Sequence, residues 1–279
     1  MSLVRNKLVR RVLLPIFARI NPGDVRIRHH YTGDRFQLHS FRHKGYWFHG
    51  RQREGTTMER FAELIQAGDT VIEVGGHIGY ITLYLSSLVG DRGSVHVFEP
   101  GPNNLPYLRR NIGGKANVHL MEKAVSDQDG ELAFYLEDLT GQNNTLIKDY
   151  HVFESNSKFA NWNNSYRQVC VDAVRLDDAV VDAVIQPDFI KIDVEGAEFL
   201  VLSGAEETLS RHRPMLMVEI TNREEDVFRL IDNHGYLAFT PHGLPCEDVA
   251  TAAGNVFFLH PDNHADQIQL FTSGRKKSA

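Results

Sequence analysis

The chain has 279 residues and a mass of 31.7 kDa, and its 42% hydrophobic and 24% charged content excludes collagen, coiled coil and intrinsically disordered protein. Its net charge of −6 argues against a protein that grips nucleic acid through its overall charge. The two cysteines, Cys170 and Cys246, are too few for a Cys-rich zinc site or a disulfide framework, which fits a reducing, cytoplasmic location.

The first twenty residues carry five basic side chains and no acidic one, and their apolar residues recur at helical spacing. The longest apolar run, Val12–Ala18, contains Pro15 and is much shorter than the roughly 20 residues of a membrane-spanning helix. No small-x-small cleavage site follows it. The pattern predicts an amphipathic helix that packs on the domain; contact with a membrane surface or a partner through residues 1–20 is the alternative.

Alternating apolar and polar residues around a Thr-Gly-Asp turn predict a β-hairpin between Asp24 and about Gly50, followed by a helix over Thr57–Gln66. From Thr70 on, strands alternate with helices, which predicts a doubly wound, mostly parallel seven-stranded sheet. The predicted strands are Thr70–Val74, Ser94–Phe98, Asn117–Val125, Asp188–Asp193, Met215–Ile220, Tyr236–Thr240 and Asn255–Leu259. The predicted helices between them are Tyr80–Leu88, Asn103–Ile112, Ala197–Leu209 and Glu224–His234.

These elements predict three parts along the chain. Residues 1–66 form an N-terminal cap with the amphipathic helix, residues 67–272 form the core, and residues 273–279 form a tail. A polar insertion, residues 137–167, interrupts the core between predicted strands at Leu132–Leu136 and Gln168–Val174. A loop this long in a compact domain is usually functional or disordered, and we expect a flap over the substrate.

The first strand of the core ends in the sequence Glu73-Val-Gly75-Gly76-His77-Ile-Gly79. The dinucleotide fingerprint G-x-G-x-x-G does not fit this sequence in register, and the chain has no Gly-Lys-Ser/Thr of a P-loop. What remains is an acidic residue and a glycine turn between a strand and a helix. Such glycines let the backbone approach a ligand closely, and the Glu73 carboxylate can hold an ammonium group.

Two further strand ends extend this turn into a cofactor site. Glu99 ends the second strand 20 residues after Gly79, where a carboxylate can accept both hydroxyls of a ribose. Ser126 and Asp127 follow the third strand, where polar groups can meet an adenine edge. An ammonium, a ribose and an adenine along adjacent strand ends predict S-adenosylmethionine. The predicted cofactor-binding residues are Glu73, Gly75, Gly76, His77, Gly79, Glu99, Ser126, Asp127 and Asp193.

Over roughly Gly45 to Leu259 the chain resembles class I methyltransferases of the FkbM type. The resemblance is most specific at Phe189-Ile-Lys-Ile-Asp193-Val-Glu195-Gly-Ala-Glu198, and Arg175-Leu-Asp177-Asp178 matches a second element of the group. His77 stands where the family usually has Asn, and Glu73 where Asp is commoner. The resemblance implies a Rossmann-like fold and a methyl transfer, usually to a hydroxyl of a sugar or natural product.

Methyl transfer to an alcohol requires an aligned acceptor, and a base or a metal ion helps to remove its proton. The candidate catalytic residues are Asp193, Glu195 and Glu219, because the carboxyl ends of the fourth and fifth strands face one crevice. If these acids converge, either one stays protonated or a cation neutralises them. We favour the account without a metal over one with a divalent ion such as magnesium, and the sequence identifies no metal ligand.

Tyr46, Trp47 and Glu54 precede the core, where class I enzymes often build a substrate cap, and are the predicted substrate-binding residues. We expect a small-molecule or glycan acceptor and no nucleic acid, and the sequence leaves the oligomeric state open. One alternative is an N- or carboxyl-methyltransferase that acts on a small molecule. Another is a nucleotide-binding or scaffolding protein without catalysis, and a nicotinamide oxidoreductase is disfavoured by the missing third glycine.

Overall fold

The structure is a computed structural model that describes residues 22–137, 141–148, 166–246 and 254–273. The helix predicted for residues 1–20, most of the insertion 137–167 and the tail beyond residue 273 lie outside the described residues. The chain divides after Arg53 into two units, so the helix predicted at Thr57–Gln66 lies in the second unit, apart from the cap. None of the described helices has the length and apolar character needed to cross a membrane.

The first unit contains the predicted hairpin. Strands β1 (Asp24–Arg28) and β2 (Arg35–His39) pair antiparallel, and a short helix α1 (Lys44–His49) follows them. Phe36, on the inner face of β2, is fully buried, and its ring centroid lies 5.8 Å from that of Tyr46 on α1. The alternation seen in the sequence therefore gives the hairpin one buried and one exposed face.

The second unit combines ten strands and eight helices among the described residues. Its strands are β3 (Thr70–Val74), β4 (Ser94–Phe98), β5 (Val118–Met121), β6 (Ala124–Ser126), β7 (Gly130–Glu137), β8 (Tyr166–Arg175), β9 (Phe189–Ile192), β10 (Met215–Ile220), β11 (Leu237–Phe239) and β12 (Gly254–Leu259). Its helices are α2 (Gly55–Leu64), α3 (Tyr80–Val89), α4 (Leu105–Ile112), α5 (Leu176–Asp182), α6 (Glu198–Ser203), α7 (Glu206–His212), α8 (Glu224–Asn233) and α9 (Ala265–Ser273).

Seven of these strands form the main sheet in the order β11-β12-β10-β9-β3-β4-β5. Only β12 runs antiparallel to its neighbours, so the prediction of a mostly parallel, doubly wound seven-stranded sheet is confirmed. The chain winds outward from β3 through β4 to β5 and then returns to the other side of β3 at β9. The sheet therefore changes winding direction between β3 and β9, where doubly wound sheets place their ligands.

The main sheet is buried on both faces. Phe61 of α2 packs edge-to-face on Phe189 of β9 and on Phe257 of β12, with ring centroids 5.7 Å and 6.2 Å apart. On the opposite face, Ile72 and Ile190 belong to the largest cluster of buried apolar residues. Each fully buried side chain of this size contributes about 1.5–3 kcal/mol to folding. The central strands are thereby held rigidly, and so are the residues at their ends.

The third predicted strand, Asn117–Val125, is wrong as a single element. It breaks at Glu122 and Lys123, which are exposed, and the Glu122 carboxylate accepts a hydrogen bond from Arg109 Nε at 2.6 Å. Beyond this break, β6 leaves the main sheet and pairs with β8 in a separate three-stranded sheet of order β6-β8-β7. These two adjacent charged residues are exposed to solvent, and β5 ends before them.

The predicted helix Ala197–Leu209 is likewise two helices, α6 and α7, separated by Gly204 and Ala205. The Asp177 carboxylate accepts hydrogen bonds from the backbone N–H groups of Glu207 and Thr208, at 3.2 Å and 2.8 Å. These are unpaired donors of the first turn of α7, so Asp177 caps that helix. The break lets Gly204 pass directly over the backbone of Ser126.

Replacement of Gly204 by alanine is expected to lower the free energy of unfolding by about 3 kcal/mol. A Cβ atom at this position would collide with the carbonyl oxygen of Ser126, and overpacking of this kind typically costs about 1–3 kcal/mol. Gly114→Ala is the matched control, because nothing lies within 4 Å of its Cβ position. Denaturant unfolding curves measure both variants, and equal stability would contradict the packing of α6 on β6.

Candidate functional site

The glycine turn between β3 and α3 lies against the ends of both neighbouring strands. Gly75 and Gly79 have φ angles of +91° and +86°, which glycine adopts readily. The N–H groups of Gly75 and Gly76 both donate to the carbonyl oxygen of Phe98, at 3.0 Å and 3.1 Å. A Cβ atom at Gly75 would collide with the carbonyl oxygen of Asp193 at the end of β9. The glycines are therefore required for packing of the turn itself as well as for access to it.

Glu99, the predicted ribose ligand, lies directly beside this turn and is only 4% exposed. Its Oε2 accepts a hydrogen bond from the His77 N–H at 2.7 Å. Its Oε1 accepts hydrogen bonds from the Gly101 N–H at 2.8 Å and from Asn104 Nδ2 at 3.3 Å. The carboxylate thus fixes the glycine turn to the segment after β4, and Oε2 retains one lone-pair direction for a ligand hydroxyl.

Burial raises the pKa of Glu99 from 4.5 to about 7, although the N–H donors of Gly101 and His77 and the Asn104 side chain oppose the shift. Cofactor affinity is therefore expected to fall as the pH drops from 8 to 6, by up to tenfold per unit below pH 7. Protonation of Glu99 removes the charge that attracts ribose hydroxyls. Calorimetry at several pH values measures this dependence. Glu99→Gln is the control, and an equal pH dependence in that variant would contradict the assignment.

Glu73, the predicted ammonium ligand, is fully buried near the carboxyl end of β3. Its Oε2 accepts a hydrogen bond from the Thr82 hydroxyl at 2.6 Å, and its Oε1 lies 3.6 Å from Nζ of Lys191 on β9. Burial raises the pKa of Glu73, and the nearby Lys191 ammonium opposes that shift. Among the described residues no donor lies within hydrogen-bond distance of Oε1, and the Lys191 ammonium is the cation that faces it.

Lys191 is the residue that connects the parts of this site, and sequence reasoning missed it. It is fully buried, and its Nζ donates to the carbonyl oxygen of Gly75 at 2.9 Å and lies 3.1 Å from Asp193 Oδ2. Burial alone would lower the pKa of Lys191, but the carboxylates of Asp193 and Glu73 outweigh it and raise that pKa above its ordinary value. A lysine in the otherwise apolar strand Phe189–Ile192 was the available signal.

The structure brings together Asp193, Glu195 and Glu219, the three candidate catalytic acids. Asp193 follows β9, and Glu219 lies beside it on β10, one residue beyond the paired residues Ile192 and Val218. The negative charge of Asp193 is the main reason that the pKa of Glu219 is raised far above its ordinary value; burial and the charges of Glu195 and Glu54 add to it. Glu54, a predicted substrate residue at the start of α2, thus belongs to the same acidic cluster.

Three of the predicted site residues have a left-handed backbone conformation. Six non-glycine residues have positive φ angles among the described residues, and three of them are predicted site residues: Glu54 at 56°, His77 at 48° and Glu195 at 53°. Such conformations cost of order 1–3 kcal/mol and persist where the surrounding structure enforces them, often at functional sites. This observation supports the place of all three residues in the site.

The remaining predicted site residues belong to other elements of the structure. Ser126 is buried at the end of β6 in the three-stranded sheet. The adenine prediction assumed that Ser126 and Asp127 follow the third strand of the main sheet, and the structure contradicts this assumption. Tyr46 is buried in the first unit beneath the Arg53 guanidinium, 4.6 Å from its ring centroid. Trp47 is 41% exposed, and its indole N–H donates to the Ser40 carbonyl oxygen at 2.7 Å. Their binding roles stay predictions.

The described start of the insertion is tied to the segment that follows β4. Asn104 Nδ2 donates to the Gly141 carbonyl oxygen at 3.0 Å, and Asn144 Nδ2 donates to Asn103 Oδ1 at 2.8 Å. Asn104 also bonds to Glu99, so this amide network borders the predicted ribose position. No group of three or more His, Cys, Asp or Glu with metal-site geometry occurs within the ranges that the structure describes.

Residues 73–238 match the model of the methyltransferase FkbM domain. The chain belongs to this family. The predicted family is thereby confirmed, together with the class of enzyme, a methyltransferase domain that uses S-adenosylmethionine. The matched range begins at Glu73 and includes the glycine turn, Glu99, Lys191 and the acids at the ends of β9 and β10.

Two methyltransferases match about half of the FkbM chain. The 2-O-methyltransferase NoeI of Sinorhizobium fredii (strain NBRC 101917 / NGR234) is 29% identical over 140 residues, 48% of this chain and 56% of NoeI. Methyltransferase 1 of Beauveria bassiana (strain ARSEF 2860) is 26% identical over 153 residues, 49% of this chain and 58% of that protein. The chain thus spans somewhat more than half the length of these relatives. A crystal structure of methyltransferase FkbM from Methylobacillus flagellatus KT is 20% identical with a TM-score of 0.43, covering 68% of this chain and 43% of that one.

The residues at the carboxyl ends of β3 and β4 fit the cofactor of the family. The buried Glu73 Oε1 receives no hydrogen bond from the described residues and is suited to the ammonium of a methionine moiety. Glu99 Oε2 accepts a single N–H, so it can accept a ribose hydroxyl as well. These two carboxylate acceptors therefore fit the ammonium group and the ribose hydroxyls that the sequence predicted them to bind.

Proposed function

We propose that this chain methylates a hydroxyl group of a sugar or a glycosylated small molecule, with S-adenosylmethionine as the methyl donor. The observation that carries the proposal is the pair of neighbouring carboxyl groups, Asp193 and Glu219, at the ends of β9 and β10 beside the glycine turn. A pair of this kind divides into a protonated and an ionised member, and the ionised member can accept a proton from an alcohol.

The surroundings support a division of roles between the two acids. Nζ of Lys191 lies 3.1 Å from Asp193 Oδ2, and this cation favours the ionised form of Asp193. Glu219 has a strongly raised pKa, chiefly because of that same negative charge, and so carries the shared proton. Asp193 is accordingly the general base that accepts the hydroxyl proton, and the protonated Glu219 lies beside it on the neighbouring strand.

The remaining residues of the site position the reactants. When bound, S-adenosylmethionine supplies a methyl group on a positively charged sulfur, so the acceptor oxygen needs only alignment and loss of its proton. Glu73 would hold the amino group of the cofactor and Glu99 its ribose, while Gly75 and Gly79 let the backbone lie close to it. Glu195 and Glu54 extend the acidic rim, where carboxylates can accept hydrogen bonds from the other hydroxyls of a sugar.

Support for an oxygen acceptor comes from a relative. NoeI, whose name describes it as a 2-O-methyltransferase, is similar to this chain over 140 residues. An acidic, hydrogen-bonding rim suits a polyhydroxylated acceptor better than a carboxylate acceptor, which the clustered negative charges would repel. The proposal therefore ranks a sugar hydroxyl above a carboxyl group.

Methyl-labelled S-adenosylmethionine, incubated with the full chain and a panel of mono- and oligosaccharides, tests the proposal. Mass spectrometry is expected to find one methyl group on a sugar, and the label should survive mild base because ethers resist hydrolysis whereas carboxyl esters do not. Asp193→Asn serves as the inactive control. Binding of the cofactor without transfer to any acceptor would instead support a catalytically silent protein, and label that is lost in base would support a carboxyl-methyltransferase.

A further inference from the structure

The hairpin of the first unit carries a group of arginines that the proposed methyl transfer does not use. Arg26, Arg28 and Arg35 are exposed and, with Ile27 and Gly33, line an open cleft of about 400 Å³. Arg28 stands directly opposite Arg35 in the antiparallel register. Directly opposed residues of a β-pair project to the same side, so the guanidinium groups gather on one face of the hairpin.

These arginines have no acidic partners within the described part of the chain. In the second unit, by contrast, several exposed arginines form ion pairs with acidic residues. These pairs are Arg109–Glu122, Arg211–Glu207, Arg213–Asp262 and Arg223–Asp226. Like charges directly opposite one another destabilise a pair of strands. The arrangement of Arg28 opposite Arg35 therefore reduces the stability of the hairpin unless an anion lies between them.

The surrounding sequence increases this positive charge. Residues 22–53 contain seven Lys and Arg and only two Asp, although the whole chain has a net charge of −6. Of the two aspartates, Asp24 lies at the far end of β1 and accepts a hydrogen bond from Gln37 Nε2 at 3.1 Å, whereas Asp34 lies between the cleft residues Gly33 and Arg35. The described residues of the first unit are thus basic within an acidic protein, and the cleft is lined by three of their seven cations.

We propose that this cleft binds a phosphate or diphosphate group of a small-molecule ligand. Guanidinium groups present paired N–H donors that match phosphate oxygens, and each such bond is strengthened by charge. The volume of about 400 Å³ falls within the range of roughly 300–1,000 Å³ of small-molecule sites. A concave cleft lined by three cations accommodates a compact polyanion that enters it, and this shape favours such a group over a flat lipid surface.

Calorimetric titration of the full chain with inorganic diphosphate, in buffer with about physiological salt, tests the proposal. The parent protein is expected to bind diphosphate, and the variant Arg28→Gln/Arg35→Gln is expected to bind it at least tenfold more weakly. Arg42→Gln/Lys44→Gln is the matched control, because it removes the same charge from the same unit but from residues that do not line the cleft. This control should bind like the parent. Diphosphate should also raise the melting temperature of the parent but not that of the cleft variant.

Vesicles distinguish the source of the phosphate group. Sedimentation with vesicles of phosphatidylcholine containing phosphatidic acid is compared with sedimentation in pure phosphatidylcholine. Binding of diphosphate alone supports a soluble ligand, and binding of both diphosphate and acidic vesicles, lost in the cleft variant, supports a lipid headgroup in the same cleft. No binding of diphosphate, binding to vesicles only, or equal losses in the cleft variant and its control would overturn the proposal.

Discussion

Replacement of Asp193 by asparagine is expected to lower the turnover of methyl transfer by about 10²–10⁴-fold, the usual contribution of a general base. Asparagine has nearly the same shape but cannot accept the proton of the acceptor hydroxyl. The substitution also removes the negative charge that faces the Lys191 ammonium. Some loss of cofactor affinity is therefore expected, but it should be far smaller than the loss of turnover. Single-turnover kinetics and calorimetry separate the two effects.

Glu219→Gln is the matched control for Asp193→Asn, because it changes the other acid of the pair. Since the pKa of Glu219 is strongly raised and this residue carries the proton of the pair, a neutral glutamine keeps the same shape and charge beside Asp193. This variant should keep its turnover within about tenfold of the parent protein. If Glu219→Gln were inactive and Asp193→Asn retained parental turnover, the roles of the two acids would be reversed.

Sequence reasoning succeeded where local patterns and the fold are strongly coupled. The strands Thr70–Val74, Ser94–Phe98 and Met215–Ile220 were predicted with the bounds that the structure has, because they are apolar runs with clear breaks on either side. The convergence of Asp193, Glu195 and Glu219 followed from the same sheet, since the carboxyl ends of parallel neighbours meet at one edge.

Sequence reasoning failed where tertiary contacts override local pattern. The segment Asn117–Val125 reads as one strand, but β6 finds its partner in β8, more than 40 residues further along the chain. The split of α6 from α7 depends on a cap from Asp177, which lies before both helices in the chain. Pairings of this range leave no periodic signal in either segment.

Within the site, the sequence did not reveal the role of Lys191, a charged residue inside the buried strand β9. Glu73 and Glu99 were identified as ligands from their places at strand ends, yet the structure shows that both also hold the protein's own groups, the Thr82 hydroxyl and the backbone N–H of His77. Lys191 was read as part of a family motif without a role of its own. Its burial and its three partners emerge only when β3 and β9 are placed side by side.

Lys191→Met is therefore expected to destabilise the protein strongly, by about 3–5 kcal/mol, the usual effect of removing one partner from a buried ion pair. Lys191 Nζ lies 3.6 Å from Glu73 Oε1, and both side chains are about 1% exposed. Without the ammonium, the Glu73 carboxylate stays buried with only the Thr82 hydroxyl as a donor. Denaturant unfolding at several pH values measures the loss.

The pH dependence of this loss distinguishes a charge effect from a packing effect. Burial already raises the pKa of Glu73, and removal of the Lys191 cation raises it further, so the folded variant binds a proton more tightly than its unfolded chain. Stability of the variant should then be highest in acid and fall as the pH rises above the ordinary pKa of glutamate. Lys191→Met/Glu73→Gln removes the buried charge on both sides and is expected to recover most of the stability and to abolish this pH dependence. If the double variant were as unstable as Lys191→Met at every pH, lost packing of the lysine chain would explain the effect, and the buried ion pair with Glu73 would not.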